Sequence, residues 1–341
     1  MSSFTYKKAG VNIDAAARSL KKAKKLIKAT FNQNVVTDVG SFGGVYRISP
    51  VKNLVTSTDG VGTKLKIAQK INMHGGVGQD IVNHCVNDIL VMGARPLIFL
   101  DYIGIGKVGP KVIGEIIKGL SKACRENSCV LIGGETAEMP DVYRQGEYDL
   151  VGTIVGDIEN GRVITGKKIK KGDVVIGLAS SGLHTNGYSL ARKIFESKRI
   201  PYTKKIKPLK KKLGEVLLTP HKSYFRAVYP LIKKSYRDIH GMAHITGGGF
   251  YDNIARILPK NVDCVINKKA WKPLPVFKLI QDKGKVEDKE MYRVFNMGIG
   301  LVMVVSGKKA KQVYNYLKNK KAKPYIIGNI VKGRGKVRIN S

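Results

Sequence analysis

The stretch Thr58-Asp59-Gly60-Val61-Gly62-Thr63-Lys64 brings together a carboxylate, two glycines and an ammonium group, directly after the β-favouring run 53–57. Glycines let backbone N–H groups approach phosphate oxygens, a lysine neutralises their charge, and an aspartate can hold the Mg²⁺ that bridges them. The spacing is not that of a Walker A loop, because the threonine precedes the lysine. A strand-ending turn with a solvated lysine has the same pattern. We predict that this stretch binds a metal-bound polyphosphate through Asp59, Gly60, Gly62 and Lys64.

Length and composition are those of an ordinary globular protein. The chain has 341 residues, enough for roughly two domains, with 43% hydrophobic and 25% charged residues. No apolar run reaches the ~18 residues of a membrane span, and the first residues lack the apolar core of a secretory signal. We therefore expect a cytoplasmic location and no membrane partner. The four cysteines show no Cys-x-x-Cys spacing, which favours buried thiols over a zinc site.

The net charge of +36, from 61 basic and 25 acidic residues, raises the possibility of nucleic-acid binding. The lysines are dispersed along the chain, with local clusters at 204–212 and 318–323. A protein that reads a phosphate backbone usually gathers charge on one face and adds aromatic side chains or a recognisable motif. We predict no dedicated nucleic-acid partner and a lysine-rich surface that attracts anionic substrates.

The order of predicted elements indicates an α/β (α+β) chain. The polar, glycine- and lysine-rich stretch 156–172 separates two halves, and we predict domains at residues 1–165 and 166–341. The first half alternates predicted strands with helices, and the second half restarts with a strand. Predicted strands cover 53–57, 96–102, 129–132, 148–155, 174–179, 300–305 and 324–331; predicted helices cover 79–92, 112–124, 187–197, 221–234, 250–258, 275–282 and 308–317.

The predicted helix 79–92 has an apolar face and a polar face. The polar residues recur at helical spacing and include no lysine, although lysine is the usual surface residue of this chain. A polar stripe is most often a solvated face, but this composition favours an oxygen-rich site for Mg²⁺ or nucleotide. The stripe consists of Asp80, Asn83, His84, Asn87 and Asp88.

Two further acidic positions accompany predicted strand ends in the first half. Gly133-Gly134-Glu135 follows the strand that we end at Ile132, and we predict a turn close to a ligand in which Glu135 joins Asp59 and Asp88. An exposed acidic turn is the alternative. Asp101, at the end of an apolar strand, fits the same group of carboxylates as Asp59, Asp88 and Glu135. The alternatives are that it caps a helix or forms a structural ion pair.

Two loops of the second half carry polar residues suited to a substrate. The loop 180–189 holds His184 among small and polar residues, and an imidazole can move protons near neutral pH. The run His244-Ile245-Thr246-Gly247-Gly248-Gly249 opens a predicted helix, where free N–H groups favour a phosphate. We predict a phosphate or substrate loop there.

Together these motifs resemble the phosphoribosylformylglycinamidine cyclo-ligase family, the aminoimidazole ribonucleotide synthetases of purine biosynthesis. The resemblance runs from Tyr6 almost to the C-terminus. Related kinases and selenophosphate synthetases share the acidic-glycine pattern but usually carry an aspartate where this chain has His244. The matching segments are 6–11, 57–64, 85–88, 99–102, 133–140, 180–189, 246–250 and 290–296.

The resemblance implies two α/β domains, a homodimer formed through the N-terminal domains, and the cofactors ATP and Mg²⁺. It implies that ATP phosphorylates the formyl oxygen of formylglycinamidine ribonucleotide before the ring closes. A phosphotransferase of the same superfamily, such as a thiamine-phosphate kinase or a selenophosphate synthetase, is the alternative. The implied ATP-binding residues are Asp59, Gly60, Gly62, Lys64, Asp80, Asn83, Asp88 and Glu135, with Asp59, Asp88 and Glu135 on the metal; the implied catalytic residues are Lys64, Asp101 and His184; and the implied substrate-binding residues are Asn186, Gly187, His244, Thr246, Gly247, Gly248, Gly249 and Asn296.

Overall fold

Two sheets organise the chain, one in each half. A computed structural model describes residues 3–107 and 109–340. In the first half the helices are α1 (Ile13–Lys28), α2 (Leu65–Ile71), α3 (Gly75–Val91) and α4 (Pro110–Glu126), and the strands are β1 (Gly44–Arg47), β2 (Lys52–Gly60), β3 (Arg95–Ile105), β4 (Val130–Glu138) and β5 (Tyr148–Glu159).

The second half contains six strands and seven α-helices among the described residues. The helices are α5 (Tyr188–Ser197), α6 (Leu213–Leu217), α7 (Phe225–Ser235), α8 (Gly249–Ala255), α9 (Pro275–Gly284), α10 (Asp288–Val294) and α11 (Ala310–Asn319). The strands are β6 (Val174–Ala179), β7 (Ile239–His244), β8 (Val262–Asn267), β9 (Ile299–Val305), β10 (Pro324–Lys332) and β11 (Val337–Asn340). None of the helices in the described part is both long and apolar enough to cross a bilayer.

The first sheet has the strand order β1-β2-β5-β3-β4, antiparallel except for the parallel pair β3–β4. The second has the order β11-β8-β10-β6-β9-β7, antiparallel except for β11–β8. The chain leaves the first sheet at Glu159 and enters the second at Val174, so the connection 160–173 overlaps the polar stretch 156–172. The mixed α/β class is confirmed, whereas the bounds 1–165 and 166–341 stay a prediction whose outermost residues, 1, 2 and 341, lie outside the described part.

Helices α3 and α4 pack together over one face of the first sheet, and glycines permit their close approach. A Cβ built on Gly78 would lie 2.3 Å from the carbonyl oxygen of Ile116, and one on Gly119 would lie 2.3 Å from that of Gly75. Gly152 on β5 allows Phe99 and Ile81 of α3 to meet above the sheet. These contacts fix α3 between the sheet and the second domain.

The opposite face of the first sheet presents apolar side chains to the surroundings. Leu100 is 38% exposed, Val130 is 58% exposed and Ile132 is 61% exposed. Monomeric proteins rarely leave contiguous large apolar patches open to solvent. This face is therefore a candidate for contact with another chain.

The structure corrects two local predictions. The residues Gly133 to Glu135, which we predict as a turn, continue β4 as far as Glu138, because β3 pairs with this segment from Leu100 to Ile105. The helix that we predict from His221 begins at Phe225, because residues 221–224 bond to α3. Both errors come from partners that are distant in sequence.

The α3–α4 crossing gives a stability prediction. We expect Gly78→Ala to lower the free energy of unfolding by at least ~2 kcal/mol, because the new methyl group would overlap backbone atoms of α4. Gly114→Ala, in an exposed part of α4 with no atom near the new Cβ, should be neutral or stabilise the protein by up to about 1 kcal/mol. Urea titration measures both; equal effects would contradict the proposed crossing constraint.

Candidate functional site

The polar face of α3 lies against the second domain. The amide of Asn83 donates to the carbonyl oxygen of His221 at 2.7 Å, and the amide of Asn87 donates to that of Lys222 at 2.9 Å. The Tyr224 N–H donates to Asn87 Oδ1 at 3.0 Å. The lysine-free stripe is thus largely a buried interface between domains, in which Asn83 and Asn87 bond to the backbone of 221–224.

The buried side chain of Lys64 connects the two domains across the same interface. Its ammonium group donates to Asp80 Oδ1 at 2.8 Å, to the carbonyl oxygen of Thr219 at 2.8 Å and to that of His184 at 3.1 Å. Neither side chain of the Lys64–Asp80 pair has any exposed surface. Burial lowers the pKa of Lys64 and raises that of Asp80, and each charge opposes the effect on the other.

These contacts engage Lys64, Asp80 and Asn83, for which we predict ATP binding; that role stays a prediction. The three N–H donors of Lys64 already have partners, Asp80 has no exposed surface, and Asn83 is bonded to His221 and Asn127. In this arrangement none of the three presents a free group to a nucleotide. The physical reason is that the polar face of α3 and the Lys64 side chain face the other domain rather than solvent.

Asp59 and Asp88 instead border a cleft of about 350 Å³ between the domains. β2 supplies Ser57 and Asp59, α3 supplies Asp88, and the second domain supplies Thr246 and Arg256. The Ser57 hydroxyl donates to Asp88 Oδ2 at 3.2 Å, and the Gly60 N–H donates to Asp59 Oδ1 at 2.7 Å. The guanidinium of Arg256 lies 5.3 Å above the Phe42 ring. The cleft therefore combines carboxylates of one domain with a cation and a hydroxyl of the other.

A cluster of four buried histidines lies beside these carboxylates. His84 Nε2 is 2.9 Å from Asp59 Oδ2, and His244 Nδ1 is 2.8 Å from Asp88 Oδ1. His244 Nε2 is 3.0 Å from His221 Nε2, and the His221 ring stacks on His184. The cluster joins β7, α3 and two loops of the second domain.

The four histidines have different electrostatic surroundings. Burial acts to lower the pKa of His84, but Asp59 and Asp88 outweigh it and raise that pKa to about 9. Burial lowers the pKa of His184 and of His221 well below the usual value, so both are neutral at pH 7. Burial also lowers the pKa of His244, against the attraction of Asp88. His84 is thus the ring that carries the positive charge next to the two carboxylates.

The predicted substrate loop 180–189 is largely buried. His184 has 1% of its surface exposed; its Nε2 accepts the Ser181 N–H, and its Nδ1 has no hydrogen-bond partner in the described part of the chain. Asn296 braces this loop by donating to the carbonyl oxygen of Gly182 and accepting from Ser180. Gly187 has a positive φ of 80° and leaves no room for a Cβ beside Phe295. Their roles toward a substrate stay a prediction.

The glycine run after His244 forms a tight turn into α8. Gly248 and Gly249 have φ values of 93° and 57°, in the left-handed region that favours glycine. The buried amide of Asn253 donates to the carbonyl oxygens of Thr246, Gly247 and Gly249. Asn186 Oδ1 would lie 3.3 Å from a Cβ on Gly247. The turn brings Thr246 to the cleft.

Asp101 and Glu135 do not join Asp59. The cross-strand pairs place Asp59, Gly152, Asp101 and Gly134 in one row over four strands, so Asp59 and Gly134 are about 14 Å apart. Glu135 pairs with Tyr102, which points away from the face that carries Asp101 and α3, because side chains alternate along a strand. Within one chain, Glu135 therefore cannot share an ion with Asp59 and Asp88. Asp101 is nearly buried, and burial raises its pKa.

Sequence reasoning missed three residues of this site as functional candidates: His221, Asn253 and Arg256. His84 was named in the polar stripe but was given no role of its own, although its place between two aspartates at helical spacing was a usable signal. His221 gave no signal, because it meets the cluster through a loop. Arg256 and Asn253 follow the glycine run at helical spacing, which could have indicated a side chain returning to that turn.

The family comparisons agree with this two-domain arrangement. Residues 40–158 match the model of the AIR synthase related protein, N-terminal domain, and residues 170–340 match that of the C-terminal domain. Phosphoribosylformylglycinamidine cyclo-ligase of Pseudothermotoga lettingae is 49% identical over 97% of this chain and 98% of its own length. That of Alkaliphilus metalliredigens is 44% identical over 99% and 98%. The chain belongs to the phosphoribosylformylglycinamidine cyclo-ligase family.

More distant solved structures share the fold with this cyclo-ligase family member. Thiamine-monophosphate kinase from Stenotrophomonas maltophilia is 16% identical, with a TM-score of 0.62 over 94% of this chain and 96% of that one. The hydrogenase maturation protein HypE in complex with ATP is 17% identical, with a TM-score of 0.62 over 97% and 92%. At this identity the likeness concerns the fold alone.

The buried ion pair between Lys64 and Asp80 gives a second prediction. We expect Lys64→Met to lower the free energy of unfolding by about 3–5 kcal/mol, because Asp80 would keep a buried charge without its partner. The control is Lys66→Met, two residues after Lys64. It removes an exposed ion pair with Glu147 and should lower the free energy of unfolding by less than about 1 kcal/mol. Replacing Asp80 by Asn in the Lys64→Met background should recover part of the loss. Chemical denaturation measures the free energy of unfolding of all three variants. A small effect of Lys64→Met would contradict the stabilising role of the Lys64–Asp80 pair.

Proposed function

We propose that this chain is an ATP-dependent cyclo-ligase that converts formylglycinamidine ribonucleotide into 5-aminoimidazole ribonucleotide, with release of ADP and phosphate. The observation that carries the proposal is the interdomain cleft, in which Asp59 and Asp88 face Thr246 and Arg256. Sequence identity of 44–49% to cyclo-ligases over nearly the whole chain supports the same reaction. The cytoplasmic location stays a prediction from the sequence.

The reaction needs a leaving group on a carbon that initially carries an amide oxygen. The γ-phosphoryl group of ATP moves to the formyl oxygen, an amidine nitrogen attacks the same carbon, and phosphate leaves as the ring closes. In phosphoryl transfer the protein contributes mainly positioning and charge stabilisation. We assign the anionic groups of the substrates to Arg256 and to the N–H groups of residues 246–248, since the Gly249 N–H already donates to the carbonyl oxygen of Thr246.

The acidic side of the cleft fits a magnesium ion bound together with nucleotide. Mg²⁺ usually takes one or two carboxylates and completes its shell with phosphates and water. Asp59 and Asp88 supply two carboxylates on one side of the cleft, whereas Glu135 lies on the opposite face of the sheet. When bound, the ion would neutralise charge on the β- and γ-phosphates.

A single assay tests the reaction. The purified protein is incubated with formylglycinamidine ribonucleotide and Mg-ATP, and the products are identified by mass. Cyclisation predicts loss of one water from the substrate and release of free phosphate. A product that gains a phosphoryl group would indicate a kinase instead, and an unchanged substrate would contradict the proposal.

Asp88 gives the sharpest variant for this assay. We expect Asp88→Asn to lower turnover by at least ~10²-fold, because the amide loses the charge that positions the metal-bound phosphates. The fold should survive, since asparagine Oδ1 can still accept from His244 Nδ1. Asp282→Asn, at an exposed ion pair with Lys278, is the matched control and should retain turnover. Normal turnover of Asp88→Asn at saturating Mg-ATP would remove Asp88 from the site.

We also propose that two chains pair through the open face of the first sheet, which would bring Glu135 of one chain toward the other chain. The exposed Leu100, Val130 and Ile132 support this interface. We expect Ile132→Glu to convert a dimer into a monomer in light scattering, because a charge in an apolar interface is costly. Ile326→Glu places the same charge on a 51% exposed isoleucine of β10 and should leave the dimer intact. A monomeric wild type would contradict this interface.

A further inference from the structure

His221 is a buried residue whose backbone is anchored to α3. Its N–H donates to Asp80 Oδ1 at 2.6 Å, and its carbonyl oxygen accepts from the Asn83 amide at 2.7 Å. One face of its ring stacks on the ring of His184, with the centroids 3.9 Å apart. Packing and backbone hydrogen bonds of this kind lock a side chain in one orientation. The two ring nitrogens of His221 therefore have fixed places in the histidine cluster.

These two nitrogens lie between the loop 180–189 and the cleft. The Nε2 of His221 is 3.0 Å from His244 Nε2, and its Nδ1 is 3.4 Å from Thr185 Oγ1. His244 Nδ1 is in turn 2.8 Å from Asp88 Oδ1. A continuous series of polar contacts thus leads from Thr185 through two imidazoles to a carboxylate of the cleft.

The proton positions along this series follow from its end at Asp88. An ionised carboxylate only accepts hydrogen bonds, so His244 donates from Nδ1. Burial lowers the pKa of His244 and of His221, which favours neutral rings with one N–H and one bare nitrogen each. The bare Nε2 of His244 then accepts from the Nε2–H of His221. This leaves the Nδ1 of His221 bare, and the Thr185 hydroxyl can donate to it.

The other tautomer of His221 fits these contacts less well. With the proton on its Nδ1, the bare Nε2 would face the bare Nε2 of His244 at 3.0 Å, and neither atom would supply a hydrogen. The Asn87 amide could donate to that tautomer, but it lies 3.3 Å from His221 Nε2 and makes a shorter bond, of 2.9 Å, to the carbonyl oxygen of Lys222. The closer contact, with His244, therefore favours the Nε2–H tautomer.

We propose that His221 is a positioning residue of the cleft, which donates from Nε2 to His244 and thereby keeps His244 in the tautomer that holds Asp88. Hydrogen bonds behind a functional side chain commonly fix its orientation and tautomer in this way. Ser57 donates to the other oxygen of the same carboxylate at 3.2 Å, so the two contacts together fix its plane. The inference rests on the proposed function, since it concerns how Asp88 is oriented toward metal-bound nucleotide.

Nuclear magnetic resonance of the wild-type protein tests the tautomers directly. The chain has six histidines, and with ¹⁵N in their rings the ¹⁵N shift of each nitrogen distinguishes a protonated nitrogen from a bare one. Comparison with His221→Gln and His244→Gln assigns the two sets of signals. We expect the proton on Nε2 in His221 and on Nδ1 in His244 at pH 7. A proton on His221 Nδ1 or on His244 Nε2 would overturn the inference.

Two amide variants separate positioning from packing. A glutamine side chain can place an N–H near the position of imidazole Nε2, whereas asparagine reaches only the position of Nδ1. We expect His221→Asn to lower turnover by about 10- to 100-fold and to abolish the single tautomer of His244, and His221→Gln to retain most of both. His74→Gln changes a buried histidine outside the cleft, bonded to Tyr148, and should leave both unchanged.

The outcomes are distinct. Near-ultraviolet circular dichroism first establishes that each variant keeps its tertiary structure; if His221→Asn does not, the wild-type tautomers alone decide. Normal turnover of the folded His221→Asn variant, or equal losses in the asparagine and glutamine variants, would overturn the inference. The expected tautomers in a wild-type protein that does not cyclise the substrate would instead remove the proposed function and leave the positioning of Asp88.

Discussion

The buried ion pair between Lys64 and Asp80 is the constraint on which the arrangement of the two domains depends. Taking two charges out of water is unfavourable, and here the cost is offset by their mutual attraction and by hydrogen bonds to Thr219, His184 and the His221 N–H. A buried pair with this many hydrogen bonds is stable only when its partners keep nearly the same positions. It therefore fixes the loops that carry His184 and His221 relative to α3, and with them the position of the cleft beside Asp59 and Asp88.

The polar face of α3 shows what a sequence can and cannot say about such an interface. The absence of lysine from Asp80, Asn83, His84, Asn87 and Asp88 correctly indicated that this face is not ordinary solvated surface. It could not distinguish a ligand site from a domain interface, because both need polar side chains held away from bulk water. The structure divides the stripe: Asp80, Asn83 and Asn87 bond to the second domain away from the cleft, whereas Asp88 bonds to His244 of that domain and also borders the cleft.

Predictions that rested on local chemistry agreed with the structure better than those that rested on distant partners. The strand Val174–Ala179 was predicted from its apolar run, with the same bounds. The continuation of β4 through Gly133 and Gly134 was not, because it depends on pairing with β3 and on the space that Gly134 leaves for the Asp101 carboxylate. His221 enters the site through packing of three separate segments, and no spacing in the sequence reports that packing.

The charge balance of the cleft links these features to catalysis. In the proposed reaction the phosphates of a nucleotide would approach Asp59 and Asp88, and two bare carboxylates would repel them. The dispersed basic surface can raise the local concentration of an anionic substrate, but it cannot cancel a repulsion that acts over a few ångströms inside the site. The positively charged His84 ring lies beside both carboxylates and offsets part of this repulsion before nucleotide binds. Because a hydrogen bond to Thr185 holds the His84 ring in place, this positive charge is part of the protein and does not depend on the incoming nucleotide.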